Sequence, residues 1–156
     1  MAGFVYFVSR RFAARQIGID EELAVEIVDT AENIPYYIQR LGYFAFEAVA
    51  SEERDWVEKE DIVTAVDNLL EADVDYFSER LTMLSPSQRS LLTALARERT
   101  AEFTEDYRRR NGLSVSATVH AALKVLVNAG LVEREDTTYR VGDPFFARFL
   151  RTSPWQ

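Results

Sequence analysis

Apolar residues recur at helical spacing along most of the chain, and the breaks between these stretches fall on residues that start or stop helices. Asp20-Glu-Glu-Leu-Ala-Val-Glu-Ile-Val supplies a capping residue, acids suited to a helix N-terminus, and an apolar stripe at Leu23, Ile27 and Val28. Pro35 fits the first turn of the next helix, whose stripe is Ile34, Ile38, Leu41, Ala45 and Ala48. The acidic segment Ser51 to Glu60 connects this helix to Ile62, Val66, Leu69, Leu70, Phe77, Leu81 and Leu84, which predict one long amphipathic helix. The first half is therefore expected to be a small all-helical bundle.

Ser85-Pro-Ser-Gln is a strong helix start, with a Ser cap, Pro at the first position and Gln three residues after the cap. Leu91, Leu92, Leu95 and Ala96 form the buried stripe of that helix. Thr104-Glu-Asp opens a short helix that stops at Asn111-Gly112. Ser114 is placed to cap a third, with Val115, Val119, Leu123, Leu126 and Val127 inward and Gly130 as its left-handed stop. Leu131-Val-Glu-Arg and Thr138-Tyr-Arg-Val predict two short strands around Glu135-Asp-Thr, and Asp143-Pro starts a last helix carrying Phe145, Phe146, Phe149 and Leu150. In order, these elements describe a winged helix-turn-helix. The expected fold is mainly α: a helical bundle over residues 1–84, then a winged helix with a small β-hairpin wing over residues 85–156.

Charge marks the same division. Up to Leu84 there are 7 Lys/Arg against 18 Asp/Glu, net −11; from Ser85 on there are 11 against 8, net +3; together they make the overall −8. Whole-chain acidity argues against non-specific nucleic-acid binding, whereas the second half alone does not. A hydrophobic share of 47% with 28% charged residues is that of a soluble globular protein. No apolar run approaches the roughly 18 residues that a membrane span needs. Phe4-Val-Tyr-Phe-Val8 is too short for a signal-peptide core and runs into Ser9-Arg-Arg, so a cytoplasmic location is expected. With no cysteine, disulfides, iron–sulfur clusters and cysteine zinc sites are excluded.

Candidate chemistry is sparse. The outer face of the third helix of the helix-turn-helix carries Ser116, His120, Lys124 and Asn128, placed to enter a major groove, with Arg108 to Arg110, Arg134 and Arg140 as phosphate contacts. That face is poor in Arg and Gln, the best base readers, and the alternative is that it is merely solvated or docks onto another domain. His120 is the single histidine and has no nucleophile or second ligand to work with, so neither catalysis nor metal binding is expected of it. The acidic run Glu52 to Asp61 lacks the alternation and central Gly of a calcium loop and is expected to be a solvated connector. No Gly-x4-Gly-Lys-Ser/Thr loop is present, so the chain is not expected to be an enzyme. Aromatic residues crowd Phe4 to Phe12 and Tyr36 to Phe46, either buried against the rest of the chain or kept for another domain or a second copy.

Two segments carry a resemblance. Asn33-Ile-Pro35-Tyr-Tyr-Ile-Gln-Arg-Leu-Gly42 resembles the Gly-x-Pro-Tyr-Tyr-x-Gln segment in the lid of prokaryotic STAND-type AAA+ ATPases (the archaeal-ATPase-like family). Asp143-Pro-Phe-Phe-Ala-Arg-Phe-Leu-Arg151 resembles the end of the winged helix that follows that lid, and Ser116 and Gly130-Leu-Val132 fit the same pattern. The resemblance implies a lid and winged helix without the nucleotide-binding core. Pro35 and Tyr36 would face the nucleotide, with Asn33 standing where the family usually has Gly. It also implies ATP and magnesium as cofactors of a full-length parent, though none for this chain alone. The chain would be either the C-terminal piece of a longer protein or a relative that kept only these modules. The partners it suggests are a separate or missing nucleotide-binding domain, double-stranded DNA, and a second copy of the chain.

Overall fold

Residues 1–152 are described by the computed structural model, and they separate into two compact units, Met1–Asp73 and the part from Val74 onward. The first unit consists of α1 (Ala2–Ala13), α2 (Glu21–Thr30), α3 (Pro35–Ser51) and α4 (Lys59–Ala72). Its centre is α3, which buries Tyr37, Ile38, Leu41, Ala45 and Val49 and packs on Ile62, Ala65 and Leu69 of α4. Ala48 lies at the edge of that stripe and Val49 takes the interior position. The stretch of aromatic residues at the start of the chain, for which no element is expected, is the helix α1; its Val8 and Phe12 face inward against α2 and α3.

Two loops fix how these helices meet. Gly18 donates to the Asp55 carbonyl at 2.8 Å and accepts from Val57 N–H at 2.9 Å, so the α1–α2 loop pairs with the α3–α4 connector. A Cβ at Gly18 would stand 2.1 Å from Trp56 Cε3, which explains the glycine. The connector itself is less solvated than its composition suggests. Asp61 is buried, takes a two-pronged ion pair from Arg54 at 2.6 and 3.0 Å, and accepts from Glu58 N–H at 2.7 Å. Burial pushes the Asp61 carboxyl up, but the Arg54 hydrogen bonds and the Glu58 amide outweigh it and hold it below the usual carboxylate range.

The expected single helix from Ile62 to Leu84 is broken. It ends at Ala72, passes Asp73 at φ −104 and ψ 7, and resumes as α5 (Val74–Thr82). Asp73 is tied to Arg40 of α3 at 2.5 Å, which anchors the end of α4 to the first unit. Phe77 and Leu81 instead belong to the core of the second unit, where Phe77 lies nearly parallel to Phe146 at 5.3 Å and touches Phe149 at 5.3 Å. The division between units thus falls at Asp73, not after Leu84.

The second unit continues with α6 (Pro86–Arg97), α7 (Glu105–Arg110), α8 (Ser116–Asn128), β1 (Val132–Glu135), β2 (Thr138–Val141) and α9 (Pro144–Thr152). The caps follow the sequence closely: Ser85 and Gln88 exchange hydrogen bonds at 2.9 and 3.4 Å, and Thr104 Oγ1 accepts from Tyr107 N–H at 3.2 Å. Asp143 Oδ1 accepts from Phe145 and Phe146 N–H at 2.9 and 3.0 Å, while Gly112 and Gly130 adopt φ of 63 and 72. The strands pair antiparallel, Val132 with Val141 through Glu135 with Thr138. Tyr139 N–H also donates to the Thr100 carbonyl at 2.8 Å, docking the hairpin on the loop after α6. The core joins α6 to α8 and α9 through Leu91, Leu92, Leu95, Leu126, Phe145 and Phe146. Mainly helical, with a small hairpin, is the observed fold class.

Candidate interaction surfaces

In the first unit, Glu32 and Asn33 both adopt positive φ, 49 and 59, to turn the chain into α3. Asn is the residue that best tolerates this region after Gly, so Asn33 preserves the turn where a Gly is expected. Pro35 then opens α3, and both Pro35 and Tyr36 are exposed. Arg40 holds the Tyr36 ring, its guanidinium 5.5 Å above the ring and donating to the hydroxyl at 3.0 Å. Burial lowers the Arg40 pKa, but Asp73 and Tyr36 outweigh it and raise it, so the guanidinium stays charged.

Pro35 borders a shallow groove between α1 and α3 that it shares with Phe4, Phe7, Ile38 and Gln39. The groove runs into a cleft of about 430 Å³, within the size range of small-molecule sites. Arg11 and Arg15 stand at its rim, stacked on Phe7 at 5.8 Å and on Phe46 at 5.6 Å. Phe7, Phe12, Tyr43 and Phe46 of the two segments line this cleft, whereas the exposed Tyr6 and Tyr36 line neither it nor the groove.

On the second unit, α8 displays Ser116, His120, Lys124 and Asn128 in the expected row, all exposed. His120 is turned back on its own helix. Its Nδ1 lies 2.8 Å from the Ser116 carbonyl oxygen and so donates to it, and the ring meets Phe103 edge-on at 6.1 Å. Ser114 does not cap α8; Val115 takes that position, without a side-chain cap, and is 66% exposed. Val127, also expected inside, is exposed, and so is Val125; Ala122 fills the interior in their stead. Five of the helix's outward positions are therefore Val or Ala: Val115, Ala117, Ala121, Val125 and Val127.

The basic residues around α8 are largely committed within the chain. Arg140 has only 13% of its side chain exposed and pairs with Glu133 at 2.6 Å and Glu135 at 3.4 Å, which engages its guanidinium inside the hairpin. The cause is strand register, which sets Glu133 opposite Arg140. Arg134 stacks on Tyr139 at 5.7 Å, Arg110 grips Glu98, Arg109 pairs with Asp106, and Arg108 donates to the Phe103 carbonyl at 3.2 Å. Lys124 makes no such contact among the described residues.

A helix-turn-helix whose hairpin docks beside its third helix is the arrangement that a family model for "Probable winged helix domain" matches over residues 75–152, half of the chain. The chain belongs to that winged-helix family. The winged-helix domain so defined includes α5, in agreement with the stacking of Phe77 on Phe146. Over 95% of its length the chain is similar to the Walker-type ATPase of Pyrococcus abyssi, with a TM-score of 0.72 and 24% identity, and it spans 41% of that protein. Two RuvB structures of Thermotoga maritima match over 97% of this chain and 49% of theirs, with a TM-score of 0.45 and identities of 13% and 14%. These are likenesses of fold. The likeness to the Walker-type ATPase is consistent with a lid and winged-helix region of an ATPase. No curated protein matches the chain in sequence.

Beyond the winged-helix row, a groove between α5 and α6 is edged by Arg89 and Arg97. Neither residue sits in a motif. Only their recurrence with Thr93 at four-residue intervals on the outer side of a predicted helix marks them in the sequence. No helix among the described residues is long and apolar enough to cross a membrane, and no three His, Cys, Asp or Glu side chains among them converge as a metal site would require.

Proposed function

We propose that this chain acts as the non-catalytic regulatory part of a nucleotide-switched ATPase, with a lid-like bundle that meets the nucleotide and a winged helix that carries the output. The observation that supports it best is the α1–α3 cleft. Pro35, directly after a left-handed turn, borders the shallow groove that runs into it, and Arg11 and Arg15 stand on its aromatic wall. Such a cleft offers apolar surface to a purine base and two cations to its phosphates. The phosphate loop and magnesium ligands belong, in this reading, to a core domain contributed by a longer parent or by another chain.

The winged-helix output in this reading is a protein contact. The exposed Val115, Val125 and Val127 of α8 and the internally neutralised Arg140 favour it. A stand-alone DNA-binding regulator is the second reading, favoured by the exposed row of Ser116, His120 and Lys124 with its uncommitted ammonium.

Titration of the ¹⁵N-labelled chain with magnesium ADP, followed by amide chemical shifts, tests the first reading. Shifts centred on α1, Tyr36 and Gln39, and reduced by Phe7→Ser, are expected. Their absence at millimolar nucleotide, or their appearance only elsewhere, overturns the lid reading. A salt-dependent mobility shift of duplex DNA, weakened by Lys124→Ala, would move the assignment to the regulator.

A further inference from the structure

Most cations of the winged-helix unit are already engaged. Arg99 pairs with Glu135, Arg109 with Asp106, Arg110 with Glu98 and Arg140 with Glu133; Arg80 binds the Tyr76 hydroxyl and Arg151 the Ala96 carbonyl. Arg108, Arg134 and Arg148 contact carbonyl oxygens or rings. Among the described residues, the side chains of Arg89, Arg97 and Lys124 of this unit have no hydrogen bond, ion pair or ring contact. Two of these three edge one cavity.

That cavity, about 560 Å³, lies between α5 and α6. None of its lining residues is a carboxylate, in a chain with 26 Asp/Glu. Arg89, Thr93 and Arg97 recur one helical turn apart on α6, so the two guanidinium groups flank the Thr93 hydroxyl over roughly 12 Å of helix. The hydroxyls divide by role. Thr82 and Ser90 donate to carbonyls of their own helices at 2.7 and 2.9 Å, whereas Ser78 and Thr93 make no hydrogen bond among the described residues and keep their protons available. Asn111, on the same lining, is engaged by the Tyr107 carbonyl at 3.0 Å and by the Glu98 carboxylate.

We propose that the α5–α6 groove is a binding site for phosphoryl groups, held by Arg89 and Arg97 with Ser78 and Thr93 as neutral donors. Two unengaged guanidinium groups and two unengaged hydroxyls, with no carboxylate among the lining residues, suit a multiply charged oxyanion, and the planar guanidinium fork matches two phosphate oxygens at once. The site is distinct from the α8 face, because α6 turns Leu91, Leu92 and Leu95 toward the core and this row away from it. The phosphate can come from a free di- or triphosphate or from a nucleic-acid backbone.

Calorimetric titration of the full chain with pyrophosphate, beside fluorescence anisotropy with a labelled 20-base-pair duplex, tests this at low and moderate salt. Binding of at least one probe is expected, weakened at least tenfold by the double substitution Arg89→Ala and Arg97→Ala, only partly restored by lysine at both positions, and unchanged by Lys124→Ala. Thr93→Val, which leaves the charge intact, is expected to weaken it several-fold. Response to pyrophosphate points to a small phosphorylated ligand, and response to the duplex alone points to a nucleic-acid backbone. Failure of both probes to bind, binding that survives removal of both arginines, or equal loss from Lys124→Ala overturns the proposal. Because Arg89 and Arg97 are exposed, unchanged thermal melting of the double variant separates lost binding from lost folding.

Discussion

Replacing Phe77 by Ala should destabilise one unit and spare the other. The ring is fully buried, lies nearly parallel to Phe146 with centroids 5.3 Å apart, and reaches Phe149 at the same separation. Truncating a buried Phe to Ala costs about 3–5 kcal/mol, which already contains the lost ring contacts. Domains of this size hold only about 5–15 kcal/mol, so the winged-helix unit would lose a large part of its stability. At 1.36 kcal/mol per tenfold, the lower figure corresponds to about a hundredfold loss of protection in the amides that exchange by global opening. Hydrogen exchange read by mass spectrometry should show that loss in α6, α8 and α9, with α2 to α4 unchanged. Phe77→Leu should give a far smaller effect, because it keeps most of the volume. If protection falls in α2 to α4, or equally in both units, then α5 does not belong to the winged-helix core and the boundary at Asp73 is wrong.

Further outcomes follow from single contacts. Tyr107 is buried and donates to the Glu98 carbonyl at 2.7 Å, and burial, joined by the Glu98 charge, pushes its phenol from 10.0 up to about 12. A raised phenol pKa stabilises the fold fully below pH 10 and loses that contribution as pH rises toward 12. Denaturant midpoints of the winged-helix unit should therefore fall over that window, and Tyr107→Phe should flatten the fall while costing about 1 kcal/mol at neutral pH; an unchanged slope would contradict the assignment. Ser85→Ala removes the reciprocal cap of α6 and should lower stability by about 0.5–2 kcal/mol in the same assay. Asn33→Gly should leave the first unit as stable or slightly more so, whereas Asn33→Ala, forced to φ 59, should cost about 1 kcal/mol in thermal melting.

The parts of this molecule legible in the sequence are those decided within about one helical turn. Ser85 with Gln88, Thr104, Gly112, Gly130 and Asp143 each act on backbone groups within a few residues, and each does so in the structure. Helical periodicity likewise disclosed the stripes of α3 and α6, because burial of one face is enforced whatever covers it. The row Ser116, His120, Lys124 was legible for the same reason. Its chemistry was not.

What required the tertiary structure are the pairings between residues that the sequence leaves far apart or ambiguous. Periodicity continues through Asp73 as though α4 and α5 were one helix; only the pull of Arg40 on one side and of Phe146 on the other separates them. Strand register decided that Arg140 meets Glu133 and is engaged within the hairpin. Packing chose Ala122 over Val115 and Val127 for the interior of α8, exposing apolar surface that a count of hydrophobic residues assigns to the core. The free arginines of α6 became visible only by elimination, once the partners of the other arginines of the winged-helix unit were known. Local structure is set by short-range hydrogen bonds and helical geometry, which a sequence displays directly. The availability of a charge is a property of its whole surroundings, and those exist only after the chain has folded.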